Sequence, residues 1–259
     1  MAKGGRPTAS DLTRAVRRGD PEEIERIVRR MGTPAVAAII NDRASEHRLA
    51  AIEAAPLCQD SWTLLTFLVP VLSSPDDHPR AEAAARAAAE IARAMARDRV
   101  LVERMEPPPD ELERARHACG VVARRRGLPS PLRVHAMACA FGLASVLRSA
   151  SECKDCHVAQ ALLDDPDPEI RRMAAWQVVD AGTPEAWVRL RDVALADADA
   201  LVAAAATAAL CTGNPDARAL LSKDGTMARI RALMADPNVN RGLRAAIRRC
   251  LPRREKRTR

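Results

Sequence analysis

The sequence predicts an all-α fold, a right-handed α-solenoid of stacked helical hairpins, on three observations. Composition is the first. Alanine, leucine and arginine, all strong helix formers, dominate, while the aromatic residues that strands favour make up 2% of 259 residues and tyrosine is absent. The second is recurrence. PEIRRMAAWQVVDAG from Pro168 is followed 31 residues later by DALVAAAATAALCTG from Asp199, and DPNVNRGLRAAIRRCL from Asp236 matches the stretch that opens at Asp167. A period of roughly 31 to 40 residues belongs to repeats that cannot bury an apolar face alone and must stack. The third is spacing. Ile170, Met173, Ala174, Val178 and Ala181 form one stripe at helical periodicity.

The elements follow in chain order. Residues 1–32, with LTRAVRRGDPEEIERIVRRMG, resemble the polar helical cap that a stack of repeats needs at its end. Residues 33–97 hold two further copies, EHRLAAIEAAPLC from Glu46 and DDHPRAEAAARAAAEIA from Asp76. Residues 98–130 break the period at EPPPD and carry a lone helix, Asp110 to Arg126, ended by Gly127: an irregular insert. Residues 131–252 return to the repeat. There Asp caps free N–H groups, Pro suits the first turn, and Gly182 and Gly213 stand where a left-handed C-terminal cap is expected. Each first helix is followed by a second, such as TPEAWVRLRDVALAD from Thr183. The tail 253–259, RREKRTR, has nothing to bury and is expected to be disordered.

At DDPDPEIRRMAAWQVVDAG, Asp164 to Gly182, the chain resembles a HEAT repeat of the bacterial type related to phycobilisome-lyase repeats. The resemblance extends over Arg43 to Arg97 and Pro131 to Leu251. It implies an α-solenoid whose curved face binds partners, and it implies no reaction. The expected function is therefore a non-enzymatic protein–protein interaction scaffold or adaptor. Its partner would meet the concave face, built by the second helix of each hairpin. Trp187, Arg189 and Arg191 on one such helix, and Arg229 and Arg231 on another, are the candidate contacts, because Trp and Arg anchor protein interfaces. The alternative for each is a stem packed in the groove under a solvated head.

Charge is uneven. The net charge is +7, yet from Arg241 to Arg259 nine basic residues stand against one acid, leaving the rest of the chain at −1. Arg241, Arg244 and Arg248 are expected to face solvent on the last helix, with Arg253 and Arg254 beyond it. This segment is a candidate contact for nucleic acid or an acidic partner, or a solvated, solubilising end of the stack.

CKDCH, Cys153 to His157, matches the pattern of covalent haem attachment. The opening MAKGGRPTASDLTRAV lacks the apolar core of a secretion signal, and the apolar runs Thr63 to Leu72 and Ala200 to Cys211 are too short to span a bilayer. A cytoplasmic location without membrane insertion is expected, with its seven cysteines mostly reduced and no cofactor. A closed zinc set of His135, Cys139, Cys153 and Cys156 has suitable ligands, but Cys139 sits well below the end of its helix. Cys58, Cys119, Cys211 and Cys250 occupy packing positions.

No phosphate loop, GxSxG or HExxH is present, and the pairs Asp76–Asp77 and Asp164–Asp165 fall where helix capping explains them. HEAT-like DNA glycosylases use tryptophans beside an aspartate, and Trp62, Trp176 and Trp187 are available for that less favoured reading. The lyase relatives handle bilin chromophores, but no residue here marks a bilin site.

Overall fold

The computed structural model describes residues 6–74, 77–98, 102, 106–147, 156–181, 183–213, 215–222 and 226–249. Every regular element among them is helical, and the chain divides into two compact units, Met1–Glu152 and Cys153–Arg259.

The first unit contains α1 (Ala9–Arg18), α2 (Pro21–Met31), α3 (Thr33–Asn41), α4 (Arg48–Ala54), α5 (Leu65–Leu72), α6 (His78–Arg97), α7 (Pro109–Arg124) and α8 (Ser130–Leu147). Two 3-10 turns, Ala55–Leu57 and Ser61–Leu64, separate α4 from α5. Capping starts the helices as the sequence suggests. Thr8 and Asp11 form a reciprocal capping box on α1, and Asp20 and Asp77 cap α2 and α6, each followed within two residues by proline. Gly19 ends α1 in the left-handed conformation, φ 66°, and donates its N–H to Ala15 and Val16 carbonyls.

The core of this unit is the sandwich of α8 between α6 and α7. Ala81, Ala84, Ala85, Ala88 and Ala92 line the buried side of α6, and small side chains let the helix axes come close. The tightest point is Gly142: a Cβ there would lie 2.9 Å from the Cβ and 3.1 Å from the carbonyl carbon of Ala92. The helix expected alone in an irregular insert is α7, which ends at Arg124 and lies along α8 with Leu112, Ala115, Cys119 and Val122 inward. It is one arm of a hairpin. By length and composition α8 could cross a membrane, a possibility the sequence reading did not consider; here 44% of it is buried, and it packs against α6 and α7.

The second unit contains α9 (Cys156–Leu162), α10 (Pro168–Ala181), α11 (Pro184–Ala196), α12 (Ala200–Thr212), α13 (Pro215–Ala219), α14 (Thr226–Ala235) and α15 (Arg241–Arg248). Helix α12 is its axis. It packs against α10, α11, α14 and α15, and ten of its thirteen residues are buried. A helix apolar on every side belongs in a core. Asp199 caps it, accepting from the N–H groups of Leu201 and Val202. Gly213, expected to end α12 in the left-handed region, instead has φ −66°. Glycine is required there by space: a Cβ would stand 2.7 Å from Val179 Cγ2. Gly182 lies outside the described residues.

One device recurs in both units. The fourth residue of α8, α10, α14 and α15 is an arginine that donates to a carbonyl at the end of an earlier helix or in the turn beyond it. Arg133 reaches Ala123 O at 3.0 Å, Arg171 reaches Asp165 O at 2.9 Å, Arg229 reaches Asp197 O at 3.1 Å and Arg244 reaches Asp236 O at 2.7 Å. The last carbonyls of a helix lack intrahelical partners, and a cation there also meets the negative end of the helix dipole. Arg171 does more: its Nε and Nη2 grip both carboxylate oxygens of Asp197 at 2.9 and 3.0 Å, in a largely buried pair. Asp197 in turn raises the affinity of that guanidinium for its proton.

Candidate functional site

The residues expected on a binding face divide sharply in use. Trp187 is only 7% exposed, and its Nε1 donates to Val179 O at 3.3 Å, so it fills the space between α10 and α11. Arg229 is committed to Asp197 O, and its Nε is buried without a partner. Arg244, expected to face solvent, is folded onto Asp236 O in the same way. These three are corrected from surface contacts to parts of the packing. Arg189, Arg231, Arg241 and Arg248 are exposed, and Arg191 is partly so. Arg189 pairs with Asp164, and Arg191 pairs with Asp192 at 2.8 Å. Beside them Val188 leaves 40% of its surface in water, an uncommon exposure for a branched apolar residue in this chain. Arg253 and Arg254 lie outside the described residues.

Of the expected metal set, only His135 and Cys139 have described side chains. Cys139 is fully buried and meets the Cys119 thiol of α7; that contact, and then burial, pushes its own thiol well above the usual range, the opposite of what a thiolate ligand needs. His135, one turn earlier, faces the charged residues of α6 instead; burial and then Arg86 lower its proton affinity. Cys153 lies outside the described residues, as does the start of the CKDCH stretch, and Cys156 begins α9. Among the described residues no three His, Cys, Asp or Glu side chains form a metal-binding group. Cys58 and Cys119 are buried and free, as expected for packing cysteines. Cys211 differs: it is disulfide-bonded rather than a free thiol, with its sulfur 3.8 Å from Ile247 O where α12 meets α15.

One carboxylate of each expected pair serves a turn or cap, while Asp164 pairs with Arg189 and Asp76 lies outside the described residues. Asp165 accepts from Asp167 N at 3.0 Å, and Asp77 caps α6.

A feature that the sequence reading passed over lies in the first unit. Between α3, the 3-10 turn Ser61–Leu64 and α5 is a cavity of about 710 Å3, walled by Pro34, Ala37, Trp62 and Phe67, with Asn41 and Asp60 also on its lining. Two of the five aromatic residues of the chain meet there. Its size falls within the roughly 300–1,000 Å3 of small-molecule sites, which are mostly apolar with a few polar groups. Asp60 is solvent-exposed, not held deep beside Trp62 as base excision would need. Cys58, next to this segment, has its pKa pushed up to about 12 by burial and then by Asp60, so its thiol stays protonated and unreactive at neutral pH. The signal was present: Trp62 and Phe67 stand five residues apart in an aromatic-poor chain, just before the helix-interrupting Pro70.

Comparison with known proteins gives the following. The family model described as HEAT repeats matches residues 129–211. No curated protein matches. Among solved structures, the complex of CpcE and CpcF of phycocyanin lyase from Nostoc sp. PCC7120 aligns over 96% of this chain and 97% of that one, at 14% identity and a TM-score of 0.42.

Proposed function

We propose that this chain is a non-catalytic scaffold that holds a protein partner on the exposed face of α11, the second helix of its hairpin. The observation that carries the reading is the make-up of that face. Val188 is exposed between Arg189 and Arg191, and both arginines already have acidic neighbours, Asp164 and Asp192. A surface of balanced charge around an apolar residue suits another protein, where arginine and desolvated apolar groups anchor the contact. A polyanion would be met by unmatched cations. The face lies within the segment that matches HEAT repeats, residues 129–211. No bond is made or broken in this role.

The test is photocrosslinking from position 188 in the native host, with a nuclease-treated arm and a high-salt arm. A discrete protein adduct that survives both, and that Arg189→Glu abolishes while the helical circular dichroism signal is kept, supports the scaffold. Recovery of nucleic acid that a salt wash removes, and that depends on Arg241 and Arg248, would replace it with the nucleic-acid reading.

A further inference from the structure

The cavity walled by Trp62 and Phe67 is not isolated. A second recess of about 150 Å3 shares Asn41 and Phe67 with it. The recess is predominantly polar, and Arg43, Arg48 and Arg80 all line it. Three guanidinium groups have been brought to one place by three different segments: the turn after α3, the start of α4 and the first turn of α6.

The local balance of charge leaves a cation unmatched. Arg80 pairs with Asp77 at 3.1 Å, and Asp77 is also used as the cap of α6. Arg48 donates its Nε to Ile40 O at 2.7 Å. Asp42 accepts from Ala44 N at 3.0 Å within its own turn. Among the described residues Arg43 has neither a carboxylate nor a hydrogen-bond partner. Among the described residues, three cations therefore face two acids. Burial of Arg48, and then the charges of Arg80 and Arg43, hold its guanidinium below the usual proton affinity, so the cluster repels itself when empty. Pro70, on the lining of the recess, cannot donate to the carbonyl of Thr66 beside it.

We propose that these two spaces form one binding site for a small amphipathic anion, an apolar body in the Trp62–Phe67 cavity and a carboxylate or phosphate group against Arg43, Arg48 and Arg80. Guanidinium forks match both headgroups. Asp60 lines only the apolar cavity, so it orients the headgroup towards the arginine recess. The site lies wholly in the first unit and is independent of the protein-binding face proposed on α11.

Titration calorimetry on the full chain tests this, with decanoate and decyl phosphate as probes below their aggregation limits. Decanol, decyltrimethylammonium, acetate and inorganic phosphate are the controls. Both amphiphilic anions are expected to bind, or one of them if the recess prefers that headgroup. Decanol and the headgroups alone are expected to bind at least about tenfold more weakly, the scale of one lost charge-assisted contact. The cationic amphiphile is expected not to bind. Arg43→Gln removes an exposed side chain with no partner in the fold, and should weaken the anions alone by about tenfold. Ala37→Leu places a branched side chain in the apolar cavity and should weaken binding of both amphiphiles. Equal affinity for decanol and decanoate, indifference to both substitutions, or no heat with either anion up to millimolar concentration would overturn the proposal.

Discussion

Trp62 in the first unit and Trp187 in the second are used in opposite ways. Trp187 follows a well-formed proline-led helix start, packs between two regular helices, and has its N–H matched by Val179 O. Trp62 lies in a 3-10 turn that leads into a short helix containing Pro70, and it walls a cavity of about 710 Å3. Around Trp187 the second unit is closed by alanines on α12. Around Trp62 the first unit is open. The difference teaches that an aromatic flanked by regular helices is packed away, whereas one carried on a 3-10 turn can stand on the wall of a cavity.

The largest effect expected within this contrast belongs to the closed unit. Arg171→Met strips Asp197 of its bidentate partner and two carbonyls of a donor, and should cost about 3–5 kcal/mol, the range for breaking a buried pair. Arg244→Met, the same position in α15 without a carboxylate partner, should cost about 1–2 kcal/mol in the same denaturant titration. If the two losses were equal, the carbonyl contact and not the ion pair would be the stabilising part.

Next comes helix approach. Gly142→Ala places a methyl group against the backbone of Ala92 and should cost about 1–3 kcal/mol, with a lower Tm. The paired tryptophans rank below that. Trp187→Phe loses a hydrogen bond and leaves Val179 O unmatched, about 1–2 kcal/mol, whereas Trp62→Phe at the cavity wall should shift the unfolding midpoint by less than about half as much.

The smallest effect is a pH slope in the first unit. Burial and then Arg86 hold the His135 imidazole below its ordinary value of 6.5, so the unfolded chain takes up that proton first. Stability then rises with pH wherever the unfolded state binds more protons. The contribution is complete above about pH 6.5, shrinks as pH falls through that value, and levels off below the folded-state pKa. His135→Gln should flatten this part of the Tm profile. A profile unchanged by the substitution would remove His135 from the account.

Much of the fold was legible because helix signals are local. The Asp–Pro starts, the stripe through Ile170, Ala174 and Val178, and the inward row on α7 all appear where spacing places them. The failures came from three-dimensional neighbours that spacing does not reveal. Arg229 and Arg244 read as surface cations because their helical positions point outward, yet a long side chain can fold back to a carbonyl on another helix. Gly213 read as a conformational cap and is a matter of space, since Val179 occupies the room of its absent side chain. Of the site now proposed in the first unit, only Trp62 had been singled out, and in another role. Arg43, Arg48 and Arg80 are 5 and 32 residues apart in sequence, too far for any motif to join them.

The contrast between an open and a closed unit is tested most directly by one substitution made twice. Ala37 borders the cavity, while Ala205 is fully buried at the centre of α12. Replace each by leucine and measure unfolding free energy by denaturant titration. Ala37→Leu has space to enter and should stay within about 1 kcal/mol of the parent chain, whereas Ala205→Leu should lose about 1–3 kcal/mol or more by overpacking. Equal losses at the two positions would contradict the account, because they would mean that the space beside Trp62 is already closed.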